Sequence, residues 1–111
     1  MGKREFLGSL ELMVLSAVLR AGRQASGIPI ANEIETATGR PVPLGSIYAT
    51  LARLEEKGLV VSHLGSPTPE RGGRAKAFFR LTTSGLAELQ HAQRSLRTLW
   101  DELPAEQGGR A

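Results

Sequence analysis

Hydrophobic residues recur at helical spacing in three stretches of the first half of the chain. The first, "SLELMVLSAVL" from position 9, is apolar around most of its circumference, as is typical of a helix buried between partners. We expect Ser9 to cap this helix. The second begins near Ser26 and ends at Gly39, where a glycine favours a left-handed cap. The third begins at position 44, and its apolar stripe consists of Leu44, Ile47, Leu51 and Leu54.

The second half of the chain predicts two strands followed by a helix. Gly58 ends the third helix, with Leu54 and Leu59 where side chains meet in a Schellman cap. The segments "LVVSHL" and "AKAFFRLT" around the glycine-rich "GSPTPERGGR" predict a β-hairpin with a long tip. Thr82 or Thr83 can cap the last helix. Its seam at heptad spacing consists of Leu86, Leu89, Gln93, Leu96, Trp100 and Leu103, with Leu99 beside it.

This order of elements predicts a mainly helical fold with a small β-hairpin, a winged helix-turn-helix followed by a C-terminal dimerisation helix. We expect residues 1–82 to form the winged helix-turn-helix and residues 83–104 the dimerisation helix. Residues 105–111 are expected to be a flexible tail. The 111 residues suit one small domain.

Composition excludes several classes of function. The chain has no cysteine, which rules out disulfides and zinc–thiolate sites. His63 and His91 have no partners at metal-ligand spacing, and no catalytic set or phosphate loop is visible, so we expect no metal, no cofactor and no enzyme activity. Acidic residues interrupt the apolar start, which we interpret as a mature helix rather than a signal peptide. No apolar run is long enough to span a membrane, and a cytoplasmic location is expected.

The basic residues are concentrated in one segment. The whole chain carries a formal net charge of +3, whereas positions 40–80 hold seven Lys or Arg against three Glu, an excess of +4. A basic surface of this kind attracts polyanions, although a solvated loop rim would have the same composition.

The third helix and the hairpin tip supply the candidate DNA contacts. If the leucine stripe faces the core, the residues expected to face outward together are Ser46, Ala49, Thr50 and Arg53. Small side chains let a helix approach the groove closely, and an arginine can fork onto guanine. Tyr48 lies at the edge of this face. The basic residues of the predicted wing, 65–76, are Arg71, Arg74 and Lys76, which suit the DNA backbone or minor groove.

These assignments have structural alternatives. Arg53 could instead pair with Glu55 or Glu56 at helical spacing, and Tyr48 could be a half-buried packing residue. Trp100 on the seam could serve dimer packing, or it could line a cavity at the dimer centre and stack on a flat ligand.

The sequence resembles the PadR family of bacterial transcription regulators. The resemblance rests on "GSLELMVLSAVL", "GSIYATLARLEEKGLV" and "GGRAKAFFRLTTSGLAEL", and it extends from about Gly8 to Leu103. It implies dimers that repress promoters, pair through the first and last helices and in some cases respond to small aromatic ligands. It also implies that Tyr48, Arg74 and Lys76 contact DNA.

The chain departs from that family's pattern at three places. Ala49 stands where a proline often follows the tyrosine, "GIPIA" lacks an aromatic residue after its glycine, and the wing pair is Phe78–Phe79 rather than two tyrosines. A single C-terminal helix resembles the short subgroup of the family.

Together these features predict a homodimeric repressor. Its recognition helix, 44–57, is expected in the major groove of a pseudo-palindromic operator, with the wing on the backbone or minor groove. A small aromatic effector could release it. The alternative is a winged-helix protein-interaction module that binds an acidic partner without specific DNA binding.

Overall fold

The structure is a computed structural model that describes residues 6–66, 75–101 and 103–104. In chain order its elements are α1 (Ser9–Ala21), a 3-10 turn (Gly22–Gln24), α2 (Gly27–Thr38), α3 (Leu44–Glu56), β1 (Val60–Leu64), β2 (Ala77–Leu81) and α4 (Thr83–Asp101). The order confirms the predicted fold class. The predicted tail at 105–111 and the wing residues Arg71 and Arg74 lie outside the described residues.

The core lies between the first three helices and the base of the hairpin. Helices α1, α2 and α3 contact one another, and β2 packs on α1. The buried apolar side chains come from every one of these elements, and the largest are Leu15, Ile30, Ile47, Leu51 and Leu54. Helix–helix burial on this scale supplies the main driving force for folding of a small domain.

The third helix is rotated relative to the predicted orientation. Thr50, which we expected to face outward, is completely buried, and Leu44, which we expected in the core, is 40% exposed. Both expectations are wrong. The buried positions are Ile47, Thr50, Leu51 and Leu54, the spacing of one helix face. Leu44 belongs to the first turn, which follows directly on Pro43 at the edge of the domain.

Local sequence predicted the C-terminal caps of α2 and α3 but not the N-terminal cap of α1. Gly8, not Ser9, occupies the N-cap of α1, and its N–H donates to the Glu11 carboxylate at 2.9 Å. Gly39 ends α2 with a φ of 75°, as predicted. Gly58 has a φ of 76° after α3, and the Leu59 N–H donates to the Leu54 carbonyl at 2.9 Å, which confirms the Schellman cap.

The hairpin is a two-stranded antiparallel sheet that is bonded to the helical layer. Its register pairs Val60 with Leu81 and Ser62 with Phe79. Phe79 is buried, and its N–H donates to the Ala25 carbonyl, next to the start of α2, at 2.8 Å. This bond fixes the base of the wing to the helix-turn-helix.

The start of α4 is held against the end of α3 by one threonine and one glycine. The Thr82 N–H donates to the Leu59 carbonyl at 3.0 Å, and the Thr82 hydroxyl donates to the Gly58 carbonyl at 2.7 Å. The same hydroxyl accepts from the Gly85 N–H at 2.9 Å, which confirms Thr82 as the cap. Gly85 is buried directly against the Leu59 carbonyl, where a Cβ would collide with the backbone.

Substitution of this glycine tests the close approach. We expect Gly85→Ala to lower the free energy of unfolding by about 1–3 kcal/mol, because the added methyl group meets a backbone carbonyl that cannot rotate away. The matched control is Gly45→Ala, also helical but with open space around its Cα, which should be neutral or stabilise by up to about 1 kcal/mol. Urea denaturation of both variants measures the difference. Equal stability of the two would contradict the steric role of Gly85.

Candidate nucleic-acid interface

The outward face of α3 is built from small residues flanked by one aromatic and one cationic side chain. The exposed residues of this face are Gly45, Tyr48, Ala49, Ala52 and Arg53, with Glu56 at its C-terminal end. Gly45, Ala49 and Ala52 follow one another at spacings of four and three, so they form a continuous low strip along the helix. The small face predicted from the sequence therefore exists, but half-buried Ser46 and buried Thr50 lie off its centre.

Tyr48 lies where α3 meets the first turn of α2. Its hydroxyl packs directly over the Cα of Gly27, so closely that a side chain at position 27 would overlap it. The tyrosine nevertheless remains 47% exposed. Tyr48 thus packs against the first turn of α2 and still remains accessible to solvent. Its hydroxyl lies beside the positive end of the α2 helix dipole.

Arg53 and Lys57 are anchored by a carboxylate from the first helix. Lys57 Nζ lies 2.8 Å from Glu11 Oε2, and Arg53 Nε lies 3.9 Å from the same oxygen. Arg53 also donates through Nη2 to the hydroxyl of Thr50 at 3.2 Å. Its partner is therefore Glu11 rather than the neighbouring glutamates Glu55 and Glu56 that the helical spacing suggested.

The environment of Glu11 keeps this carboxylate charged. Burial raises its pKa, but the hydrogen bonds from Lys57 and from the Gly8 N–H, with the positive charges of Lys57 and Arg53, outweigh burial, so that the pKa lies below its ordinary value. Glu11 is thus a buried anion on the side of the molecule that carries the α3 cations.

The stem of the wing carries a second cationic group. The Gly65 N–H donates to the Lys76 carbonyl at 2.7 Å, which extends the ladder by one pair beyond β1 and β2. Lys76 Nζ lies 5.8 Å from the centroid of the Phe78 ring, and the His63 ring stacks on Phe78 with 5.8 Å between the two centroids. The Phe78 ring thus supports the half-buried Lys76, one of the predicted DNA contacts.

The predicted seam of α4 is largely uncovered. Leu99, Trp100 and Leu103 are 64%, 62% and 67% exposed, and Gln93 is also exposed. Only Leu89 and Leu96 are half-buried, where the first half of the helix packs on α1, and Leu86 lies at the boundary with 37% exposure.

Two grooves run between α1 and α4, and Leu12 borders both. One, of about 360 Å³, is lined by Phe6, Leu7, Leu96 and Leu99 among others. The other, of about 290 Å³, includes Leu89 and the indole of Trp100. Their volumes are at the small end of the range for ligand pockets, and their walls are mainly apolar.

Sequence reasoning missed the residues whose role depends on long-range contacts. Glu11 and Lys57 are separated by 46 positions, and no local pattern joins them. Gly45 and Ala52 could have been found, because they share a face with Ala49 once Thr50 is assigned to the core. Among the described residues, no group of three or more histidine or carboxylate side chains is placed to hold a metal ion.

Comparison with known proteins identifies the family. Residues 14–91 match the sequence profile of the Transcriptional regulator PadR-like family, a span that includes α2, α3, the hairpin and most of α1. The chain belongs to the PadR-like family. The members of this family are DNA-binding transcriptional regulators and not enzymes.

Solved structures of bacterial transcriptional regulators share the fold. A PadR family regulator from Eggerthella lenta is 26% identical, with a TM-score of 0.66 over 85% of this chain and 77% of that one. A PadR family regulator from Clostridium difficile is 20% identical, with a TM-score of 0.68 over 85% and 93%. A transcriptional regulator from Clostridium thermocellum is 21% identical, with a TM-score of 0.67 over 81% and 84%. No curated protein sequence gave a significant match. Across the described residues, no helix has the length and apolar character needed to cross a bilayer.

Proposed function

We propose that this PadR-like regulator is a homodimeric repressor that inserts α3 into the major groove of a two-fold related operator. The observation that carries the proposal is the outward strip of Gly45, Ala49 and Ala52, bordered by Tyr48 and Arg53. A helix with its side chains nearly fills the ~12 Å width of the major groove, so the outward residues must be small if the backbone is to approach the base edges.

The basic side chains would have two roles, one in contacts to bases and the other in contacts to phosphates. Arg53, on the border of the strip, is the candidate for reading guanine, because its terminal nitrogens can fork onto O6 and N7. Lys76 on the wing stem, together with Arg71 and Arg74 from the sequence, would contact phosphates and contribute affinity without sequence preference. Ser46 and Tyr48, near the start of α3, would donate hydrogen bonds from their hydroxyls to the DNA backbone. Thr50 is buried, so it has no direct contact with DNA in this arrangement.

The exposed seam of α4 supports the dimer. Leu99, Trp100 and Leu103 together would leave an apolar patch on an isolated subunit, and a matching seam from a second copy would cover it. Residues 83–104 would then act as the dimerisation helix and residues 1–82 as the DNA-binding unit. Two recognition helices would be about one turn of DNA apart, ~34 Å. A cytoplasmic location follows from this function.

A flat, small effector would bind beside Trp100. The α1–α4 grooves adjoin the seam, so a partner helix would close them into a shared cavity. A ligand stacked on the indole could then alter the distance between the two recognition helices and release the operator.

Arginine and lysine substitutions test the division between base and phosphate contacts. Arg53→Ala should lower operator affinity by roughly 1–3 kcal/mol and relax base preference, because a forked guanine contact is lost. Lys76→Ala should weaken binding to all duplexes and reduce the slope of log K against log salt by about 0.9 for each phosphate that is no longer neutralised.

The matched control for both is Arg94→Ala, which removes the same charge from the exposed surface of α4. Binding is measured by fluorescence anisotropy on an operator selected in vitro and on a scrambled duplex, across a salt series. If wild type does not distinguish the two duplexes, the protein-interaction alternative replaces the proposed function.

A charge on the seam tests the dimer. Leu99→Glu should convert the protein to monomers at concentrations where wild type is dimeric, because the carboxylate would be buried against the partner helix. Thr98→Glu, one position away and exposed, serves as the control and should remain dimeric. Sedimentation velocity measures both. A wild-type monomer, or a dimeric Leu99→Glu variant, would contradict the assignment of this seam.

Tryptophan fluorescence tests the effector site, because Trp100 is the single tryptophan of the chain. Planar aromatic dyes should quench its emission saturably, and the same dye concentrations should weaken operator binding. Quenching that stays linear in dye concentration would indicate collision rather than binding and would contradict the site.

A further inference from the structure

The Glu11 carboxylate is bonded at both oxygens, on one side to the N-cap of its own helix and on the other to cations at the end of α3. Oε1 accepts from the Gly8 N–H at 2.9 Å, and Oε2 accepts from Lys57 at 2.8 Å with Arg53 beside it at 3.9 Å. The Glu11 side chain is only 10% exposed, whereas those of Arg53 and Lys57 are 53% and 39% exposed. A fixed, buried anion thus holds two solvent-accessible cations of the recognition helix.

The contacts of Arg53 leave most hydrogens of its terminal nitrogens, Nη1 and Nη2, available for other partners. Nε faces Glu11, and one hydrogen of Nη2 is used by Thr50. Neither contact uses the hydrogens of Nη1 or the second hydrogen of Nη2, and two such terminal hydrogens are what a forked contact to a guanine edge requires. The Thr50 hydrogen bond and the Glu11 charge thus favour one orientation of the guanidinium without occupying the hydrogens that would bind a base.

We propose that Glu11 is a positioning residue for sequence discrimination, which holds Arg53 for base recognition and keeps Lys57 from binding phosphate indiscriminately. The proposal rests on the proposed DNA-binding function. Thr50, whose buried hydroxyl accepts a hydrogen bond from Arg53 Nη2, is the second positioning residue. Glu11 itself touches no base.

Loss of the anion should act differently on operator and non-operator DNA. With a neutral side chain at position 11, Lys57 becomes available to a phosphate, so affinity for any duplex should rise and the salt slope should steepen by about 0.9 for each additional phosphate bound. Arg53 also loses its fixed orientation, so the preference for operator DNA over other duplexes should decrease. The ratio of operator to scrambled-duplex affinity is expected to fall about three- to tenfold, a part of what a good forked contact contributes.

The experiment compares wild type, Glu11→Gln and the matched control Glu55→Gln on both duplexes across a salt series. Glu55 is an exposed residue of α3 that accepts a hydrogen bond from Ser62 at 3.0 Å, and its substitution makes the same change in net charge. The control should raise affinity for both duplexes by a common factor and leave their ratio unchanged. An unchanged ratio in Glu11→Gln, with wild type discriminating normally, would overturn the positioning role.

A second variant and a structural readout keep the result decisive. Thr50→Val removes the other contact of Arg53 and should lower the ratio in the same direction, so it decides the question if circular dichroism shows that Glu11→Gln does not fold. Nitrogen-15 NMR relaxation of the Arg53 Nε–H group should show restricted motion of the side chain in wild type and larger motion in Glu11→Gln.

Failure of the proposed function and failure of the Glu11 inference give different experimental results. If wild type shows no operator preference, the proposed function fails, and the NMR signal still reports whether Glu11 restrains Arg53. If wild type prefers its operator but the Arg53 Nε–H group is equally mobile in both proteins, Glu11 does not position Arg53 and the inference is wrong.

Discussion

The carbonyl of Leu59 connects the elements on which the rest of the structure depends. It lies just after Gly58, whose left-handed conformation ends α3, and it accepts the Thr82 N–H that precedes α4. Gly85 packs against the same oxygen at a distance only a glycine allows. One short turn therefore sets where α3 ends, where the hairpin begins and where α4 leaves the domain.

The rotation of α3 follows from packing within that frame. Ile47, Leu51 and Leu54 need neighbours on one face, and Thr50 is the residue between them, small enough to lie against the other helices. Its hydroxyl then accepts a hydrogen bond from Arg53 rather than facing solvent. The buried Thr50 hydroxyl is tolerated because it has a hydrogen-bond partner. With Thr50 turned inward, Ala49 and Gly45 lie at the surface.

The molecule keeps its charged and apolar surfaces on different elements. Cations border the α3 strip and the wing stem, where a polyanion would meet them, and Glu11 restrains two of those cations from inside the domain. Apolar side chains accumulate instead on the outer half of α4, beyond the region that packs on α1. This separation is consistent with a protein that uses one surface for nucleic acid and another for a second subunit.

The sequence by itself determined the order of elements, the glycine caps at Gly39 and Gly58, the hairpin and the heptad spacing of α4, because these features depend on neighbours within a few residues or on simple periodicity. Only the tertiary structure decided that Thr50 is buried and Leu44 is not, since a helix with apolar residues on a wide arc can rotate by a fraction of a turn without violating its pattern. It alone joined Glu11 to Lys57 and Arg53, because contacts between distant segments leave no local signature in one sequence.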